Sequence, residues 1–252
     1  PNQGMKKLLA YPLSALYYFS FGSILVIFHV LQWLSFYGLG YTAHKFTLDF
    51  LNYLILRCLN LLGTRIVFDL MEELHVKQSI IFVVNHQSTY DIPPIIWYLR
   101  KFHPKFISKK ELGKGIPSVS FNLRHGGSVL IDRKKPKLAL NQIKAFGKRL
   151  YKKNHSAVIF PEGTRSKNGV PKKFQKSGLL SLFETMPEAV VVPISVGNSW
   201  KFGSNNYFPM PLGIKLHLTV HRPQQIDHEN TLEFIERLEK EIHQEVAKKQ
   251  LN

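Results

Sequence analysis

From Leu8 to His44 the chain carries no Asp, Glu, Lys or Arg. A run of that kind suffices for a spanning helix, which needs about 20 apolar residues. Pro12 is placed to start this helix, and Gly38-Leu39-Gly40 to break it. A second helical stretch is predicted from about Tyr41 to Leu62, with Gly63 as its cap. Its polar residues Lys45, Asp49, Asn52 and Asn60 recur at helical spacing, while Phe46, Phe50, Tyr53, Leu54 and Leu61 fall largely on other faces. This amphipathic pattern suits a helix lying in a membrane interface. Lys6 and Lys7 flank one end of the apolar stretch, and Lys45 and a basic body flank the other. Cationic flanks favour the cytoplasmic side, so a hairpin embedded in one leaflet satisfies both ends where a single crossing does not. Aromatic residues suited to headgroup depth (Tyr11, Tyr17, Tyr18, Phe19, Trp33, Phe36, Tyr37) weigh against the other alternative, a soluble core hairpin. The expectation is monotopic membrane attachment at the cytoplasmic face.

After Gly63 the pattern shortens. Apolar, β-branched runs at Ile66 to Phe68, Ile80 to Val84, Phe106-Ile107, Val129 to Ile131, Ala157 to Phe160, Val190 to Val196 and Ile214 to His221 predict strands. Helical stretches at Ile95 to Phe102, Lys137 to Lys153 and Ser177 to Thr185 separate several of them. Leu232, Ile235, Leu238, Ile242 and Val246 form the apolar stripe of a C-terminal helix, with Asn230 and Glu233 spaced as a capping box. Strands alternating with helices predict an α/β fold, a mixed sheet flanked by helices. The expected organisation is a two-helix membrane anchor over residues 5–63 and an α/β domain over residues 64–252. Pro1 to Gly4 precede Met5 and are read as lying outside the fold.

The net charge of +17 is concentrated in one part of the chain. Between Arg100 and Lys176 there are 21 Lys and Arg against 3 acids, +18, and the remainder, with 13 against 14, is −1. Such a field attracts nucleic acid, anionic lipid or an acidic partner. No zinc finger, RNA-binding aromatic box or heptad zipper supports nucleic acid, and the apolar N-terminus favours lipid. The single Cys58 excludes an internal disulfide and reads as a packed core thiol. His217 and His221 read as strand surface, because a third metal ligand is missing. There is no His-Glu-x-x-His, Gly-x-Ser-x-Gly or P-loop, so no metal, cofactor or serine nucleophile is expected.

Three blocks carry candidate chemistry. In Asn85-His86-Gln87-Ser88-Thr89-Tyr90-Asp91, His86 emerges from a strand, and Asp91 caps the helix opened by Pro93 and Pro94. Their separation lets the carboxylate fix one imidazole nitrogen and leave the other as a base. Gly127 to Arg133 delivers a charged pair, Asp132-Arg133, to a strand's end, where ligands gather in open α/β sheets. Asp132 reads as the structural partner of Arg133, itself a phosphate candidate. In Phe160-Pro161-Glu162-Gly163-Thr164-Arg165-Ser166, Gly163 can bring amides close to a ligand, Arg165 can grip phosphate, and Glu162 can accept hydrogen bonds from a polyol.

Taken in order, with the apolar block Val192-Pro193-Ile194-Ser195-Val196, these blocks resemble the 1-acylglycerol-3-phosphate (lysophosphatidic acid) acyltransferase family over Ile80 to Val196. The resemblance implies that His86, oriented by Asp91, deprotonates the sn-2 hydroxyl of lysophosphatidic acid. The alkoxide would attack the thioester of acyl-CoA or acyl carrier protein, giving phosphatidic acid with no covalent acyl-enzyme. The substrate-binding set would be Arg133, Glu162, Gly163, Thr164 and Arg165, with Lys109 and Lys110 serving either the tetrahedral oxyanion or phosphate and membrane contact. Partners would be membrane phospholipid, lysophosphatidic acid and the thioester donor. The rival readings are a related O-acyltransferase using glycerol 3-phosphate or another lysolipid, and a non-enzymatic lipid-binding protein on the same fold.

Overall fold

The computed structural model describes residues 3–75 and 77–250, so the expected limit of the body at residue 252 lies outside the described residues. Helix α1 (Gln3–Leu34) runs into a π-turn over Ser35–Leu39. Gly40, at φ 82°, takes a backbone conformation that favours glycine and reverses the chain into α2 (Tyr41–Asn60). The body follows as β1 (Arg65–Leu70), β2 (Ile80–Val84), α3 (Ile92–Tyr98), β3 (Pro104–Lys109), α4 (Val119–His125), β4 (Val129–Ile131), α5 (Pro136–Lys153), β5 (Ser156–Ile159), α6 (Lys176–Thr185), β6 (Val190–Gly197), β7 (Lys215–Val220), β8 (Gln224–Gln225) and α7 (Thr231–Gln250).

The strands form one mixed sheet in the order β1-β7-β6-β2-β5-β3-β4, with β8 beside β6. The run from β6 through β2, β5 and β3 to β4 is parallel, whereas β7 is antiparallel to β6 and parallel to β1. The alternation of side chains explains why β2 and β6 read as unbroken apolar runs. Ile81 and Val83 of β2 meet Ile143, Phe146, Leu182 and Leu238, from α5, α6 and α7. Ile80, Phe82 and Val84 meet Leu25, Phe28, Leu51, Ile55 and Ile95, from α1, α2 and α3. The hairpin is therefore one layer of a three-layer sandwich.

Its other face is bare. Phe19, Trp33, Leu34, Leu39 and Phe46 are exposed, Leu39 by 78% and Phe46 by 73%. The segment Gly4–Leu39 is long and apolar enough to cross a membrane. The face of α2 that turns inward was not expected. Asp49 and Asn52 are buried, with Asp49 paired to Lys45 at 2.5 Å and Asn52 donating to the Leu48 carbonyl, while Phe46 and Phe50 point outward. Packing against the body overrides the predicted polar-out arrangement.

Other expectations are corrected. Pro12 lies inside α1, which starts at Gln3, so the helix continues through a proline that removes one amide donor and crowds the carbonyl a turn earlier. At the start of α7 the Asn230 amide donates to Asp227 Oδ1, so the cap draws on an upstream carboxylate. His217 and His221 are buried. His221, directly after β7, links β6 to α7: its Nε2 meets Ser195 Oγ at 2.7 Å and its Nδ1 meets Glu241 at 2.9 Å. The alternation of β7 turns these rings toward the covering helix.

Candidate active site

The parallel strands β2, β5, β3 and β4 point their carboxyl ends the same way. At those ends lie His86, the loop from Phe160 to Ser166, Lys109 with Lys110, and Asp132 with Arg133. Asn85 fixes the exit from β2. Its side chain donates to the Val196 carbonyl at 2.9 Å and accepts from the Val196 amide at 2.7 Å, clamping β2 to β6.

His86 Nδ1 lies 2.8 Å from Asp91 Oδ2. The Phe160 ring stacks on the imidazole at 4.2 Å between centroids. Among the described residues Nε2 makes no hydrogen bond, and the side chain is 15% exposed, so that nitrogen is left open to a ligand. Asp91 is 0% exposed. Its Oδ2 also accepts the amides of Gln87 at 2.8 Å and Ser88 at 3.0 Å, and its Oδ1 accepts the Ser199 hydroxyl. Desolvation of this carboxylate is offset by a complete set of donors.

Asp91 does not cap α3. It closes the short 3-10 turn Thr89–Asp91, whose cap is Ser88, and the two form a capping box. Pro93 and Pro94 carry no amide hydrogen at the start of α3, so few donors there require a cap, and the carboxylate turns back to its own loop.

Glu162 is also displaced from its expected role. It is 4% exposed, and its two oxygens accept the amides of His86 at 2.9 Å and Lys172 at 2.9 Å. It therefore staples the two loops together and is not presented to a polyol. Burial pushes its carboxyl up to about 7; the two amides and the Lys172 charge oppose that shift, and Asp91 adds to it. The Ser166 amide returns the connection by donating to the His86 carbonyl at 2.7 Å.

Arg133 donates to the Gly163 carbonyl, not to Asp132, which instead accepts the Lys134 amide at 3.0 Å. Burial lowers the pKa of Arg133, and Glu111 acts against that shift. Gly163 sits at φ 70°, a conformation that side chains rarely adopt, although a Cβ there would meet only ordinary contact with Gln175. Thr164 and Arg165 are exposed at the tip of this loop, and the Arg165 carbonyl accepts from Lys172 Nζ at 3.0 Å. Lys109 ends β3 and Lys110 opens the following turn, both exposed. β6 is buried throughout, which agrees with a packing role for Val192 to Val196.

Ser199 had no role in the sequence analysis. The only local signal is the turn at Gly197-Asn198, where Asn198 takes φ 68°; it marks a reversal but not which hydroxyl reaches Asp91. Tyr90 is a second addition: Tyr17 of α1 donates to its hydroxyl at 3.0 Å, connecting the hairpin to the histidine loop.

An imidazole held at Nδ1 and open at Nε2 can accept a proton, and basic side chains beside it can hold an anion. The His86–Asp91 pair lies at the carboxyl ends of a largely parallel sheet in an α/β domain, with an apolar hairpin packed on one face of that sheet. The chain belongs to the acyltransferase family, whose model matches residues 65–197. Similar curated proteins are named 1-acyl-sn-glycerol-3-phosphate acyltransferase. They include one from Cocos nucifera, 33% identical over 136 residues, covering 54% of this chain and 44% of that protein. One from Helicobacter pylori is 44% identical over 92 residues, covering 35% and 36%. One from Pseudomonas aeruginosa is 30% identical over 168 residues, covering 63% and 62%. The matches thus span 44% and 36% of the first two relatives, less than half of each. The crystal structure of the 1-acyl-sn-glycerophosphate acyltransferase PlsC from Thermotoga maritima superposes with a TM-score of 0.80 over 98% of both chains at 22% identity, which establishes the shared fold.

Proposed function

We propose that this protein transfers a fatty acyl group from a thioester, acyl-CoA or acyl carrier protein, to the sn-2 hydroxyl of lysophosphatidic acid, giving phosphatidic acid and a free thiol. The observation that carries the reading is the His86–Asp91 pair, with Nδ1 engaged and Nε2 open. His86 Nε2 takes the hydroxyl proton as the oxygen attacks the thioester carbonyl. The tetrahedral oxyanion then collapses, the C–S bond breaks, and the thiolate recovers the proton from the imidazolium. Asp91 stabilises that imidazolium and is not itself protonated. Base catalysis contributes on the order of 10²–10⁴ in rate. Arg165 and Arg133 hold the acceptor phosphate, with the turn of Gly163 and Thr164 bringing amides beside it. Lys109 and Lys110 are assigned to the oxyanion or the phosphate. The names of the relatives, the order of the blocks and the basic carboxyl-end loops support this assignment.

The acceptor and product are lipids, so the site has to work at a bilayer. The bare apolar face of α1 and α2 supports monotopic attachment, and the cationic flanks of the apolar stretch favour the cytoplasmic face, with residues 5–63 as anchor and residues 64–252 as the acyl-transferring body. A radiolabelled acyl-transfer assay crossing acyl-CoA and acyl carrier protein with lysophosphatidic acid, glycerol 3-phosphate and other lysolipids tests the reading. Turnover with lysophosphatidic acid as the preferred acceptor is expected. Preference for another acceptor would transfer the activity to that O-acyltransferase class, and no turnover with any pair would leave a lipid-binding protein.

A further inference from the structure

The opposite end of the sheet carries a second cluster of charged and aromatic groups. Lys105, near the amino end of β3, is 4% exposed, yet among the described residues its ammonium makes neither a hydrogen bond nor an ion pair. It lies 5.0 Å from the centroid of the Tyr41 ring. The Tyr41 hydroxyl is 2.7 Å from His103 Nδ1, and the His103 and His155 rings stack at 4.6 Å and 5°. Tyr41 also stacks on His155 at 5.6 Å. His103 and His155 immediately precede β3 and β5, so the sheet register brings the two imidazoles together.

The surroundings are cationic. Lys45, Arg149 and Lys153 act on Lys105 as like charges, and Asp49, the opposing carboxylate, is already paired with Lys45 at 2.5 Å. Burial first, then Lys45, lowers the Lys105 pKa to about 8. Burial, reinforced by Lys45 and Lys105, lowers His103 to about 4, and burial, His103 and Lys105 do the same to His155. Helix α2 begins at Tyr41 itself, behind Gly40 and without a side-chain cap, so the positive end of a 20-residue helix adds to the field. A buried ammonium whose nearby carboxylate is already paired with another lysine is costly, and a cation–π contact offsets only part of that cost. A single anion would compensate Lys105 and the helix end together, and the two imidazoles beside them can donate N–H hydrogen bonds to it.

We propose that Tyr41, Lys45, His103, Lys105 and His155 form a phosphate-binding site, and that its occupant is the headgroup of an anionic phospholipid. The cluster opens to the surface at Tyr41, which is 37% exposed, and at the two half-buried imidazoles. Leu39 and Phe46, the bare apolar residues of the hairpin turn, flank Tyr41 and Lys45 along the chain. Their insertion would place the cluster at headgroup depth. The phosphate chemistry is independent of the proposed reaction, and the lipid source rests on the membrane reading.

The test uses the full-length protein and the variant Lys105→Met, which keeps length while removing the unpaired charge. Thermal melting in detergent compares inorganic phosphate with chloride at equal ionic strength. Sedimentation compares phosphatidylcholine vesicles with vesicles that also contain phosphatidylglycerol. Phosphate should raise the wild-type Tm and not that of Lys105→Met. The variant should bind phosphatidylcholine vesicles like wild type and lose about fivefold of the affinity for phosphatidylglycerol vesicles. His155→Phe, which keeps the stack, should lose part of the same preference. A phosphate effect without vesicle discrimination overturns the lipid occupant and assigns the site to the free anion. Identical behaviour of wild type and variant in both arms overturns the site. Neither readout involves acyl transfer, so failure here is separable from failure of the proposed reaction.

Discussion

The Ser199 hydroxyl donates to Oδ1 of Asp91, 108 residues earlier in the chain. The opposite oxygen of the same carboxylate holds His86 Nδ1 at 2.8 Å. Ser199 enters a turn directly after β6, and β6 lies beside β2, which delivers His86. The orientation of the imidazole therefore depends on two neighbouring strands and not on the histidine loop alone.

Ser199→Ala is expected to lower kcat about tenfold, because a hydrogen bond to a charged group contributes about 1.5–3 kcal/mol. The loss should be smaller than that from Asp91→Asn, which disturbs both oxygens. Steady-state kinetics beside chemical denaturation separates the effects. A kcat within twofold of wild type would remove Ser199 from the positioning of Asp91.

His86→Ala should lower turnover by about 10²–10⁴ while leaving the protein folded and membrane-bound. Asp91→Asn should be severely impaired as well, through loss of the carboxylate that selects the tautomer. If purified His86→Ala keeps a third or more of the activity, the base mechanism fails.

Arg165 and Arg133 should separate by mechanism. Arg165→Lys keeps charge but loses the planar fork. The expected effect is a rise in the KM for the acceptor, with the KM for the donor little altered. Arg133→Ala should act through the loop as well, since it removes the donor to the Gly163 carbonyl. Each should lower kcat/KM for the acceptor by about 10–100-fold, the value of one charged hydrogen bond. Equal effects on both substrates would contradict a phosphate role.

Glu162 makes a pH prediction. Its carboxyl is raised from 4.5 to about 7 in the folded protein, so the native state holds the proton more tightly than the unfolded chain. This contribution to stability is fully present below pH 4.5 and is lost as pH rises through about 7. The shift corresponds to on the order of 3 kcal/mol. Urea denaturation from pH 4.5 to 8 should show the decline in wild type and a flatter profile in Glu162→Gln. Parallel profiles would refute it.

The hairpin predicts insertion that salt does not reverse. Deleting it would uncover Phe82, Val192 and Leu218, so outward-facing substitutions are the cleaner test. Phe19, Ile27 and Leu31 changed together to Ser should leave a weak attachment that high salt releases. Flotation of wild type at low and high salt should give the same bound fraction. Release of wild type by salt alone would show that the bare face does not enter the bilayer.

Local chemistry determined much of this molecule. Ile80 to Val84 and Val129 to Ile131 coincide with β2 and β4, because a continuous β-branched run has few other places to go. Gly40 ended the first helical segment, while Gly38 was carried within its last, π-helical turn, and the five-residue spacing of His86 and Asp91 was short enough for their pairing to be local. Tertiary structure decided what depends on distant neighbours. The antiparallel insertion of β7 between β1 and β6 is not encoded in any one strand's pattern. Two-residue β8 is too short to show a period. The inward turn of Asp49 depends on which face of α2 packs against the body, since its partner Lys45 is local, whereas the stapling role of Glu162 and the reach of Ser199 to Asp91 depend on partners supplied elsewhere in the chain. A polar side chain advertises its chemistry in the sequence, but which donor satisfies it is fixed only when burial removes water as a competitor.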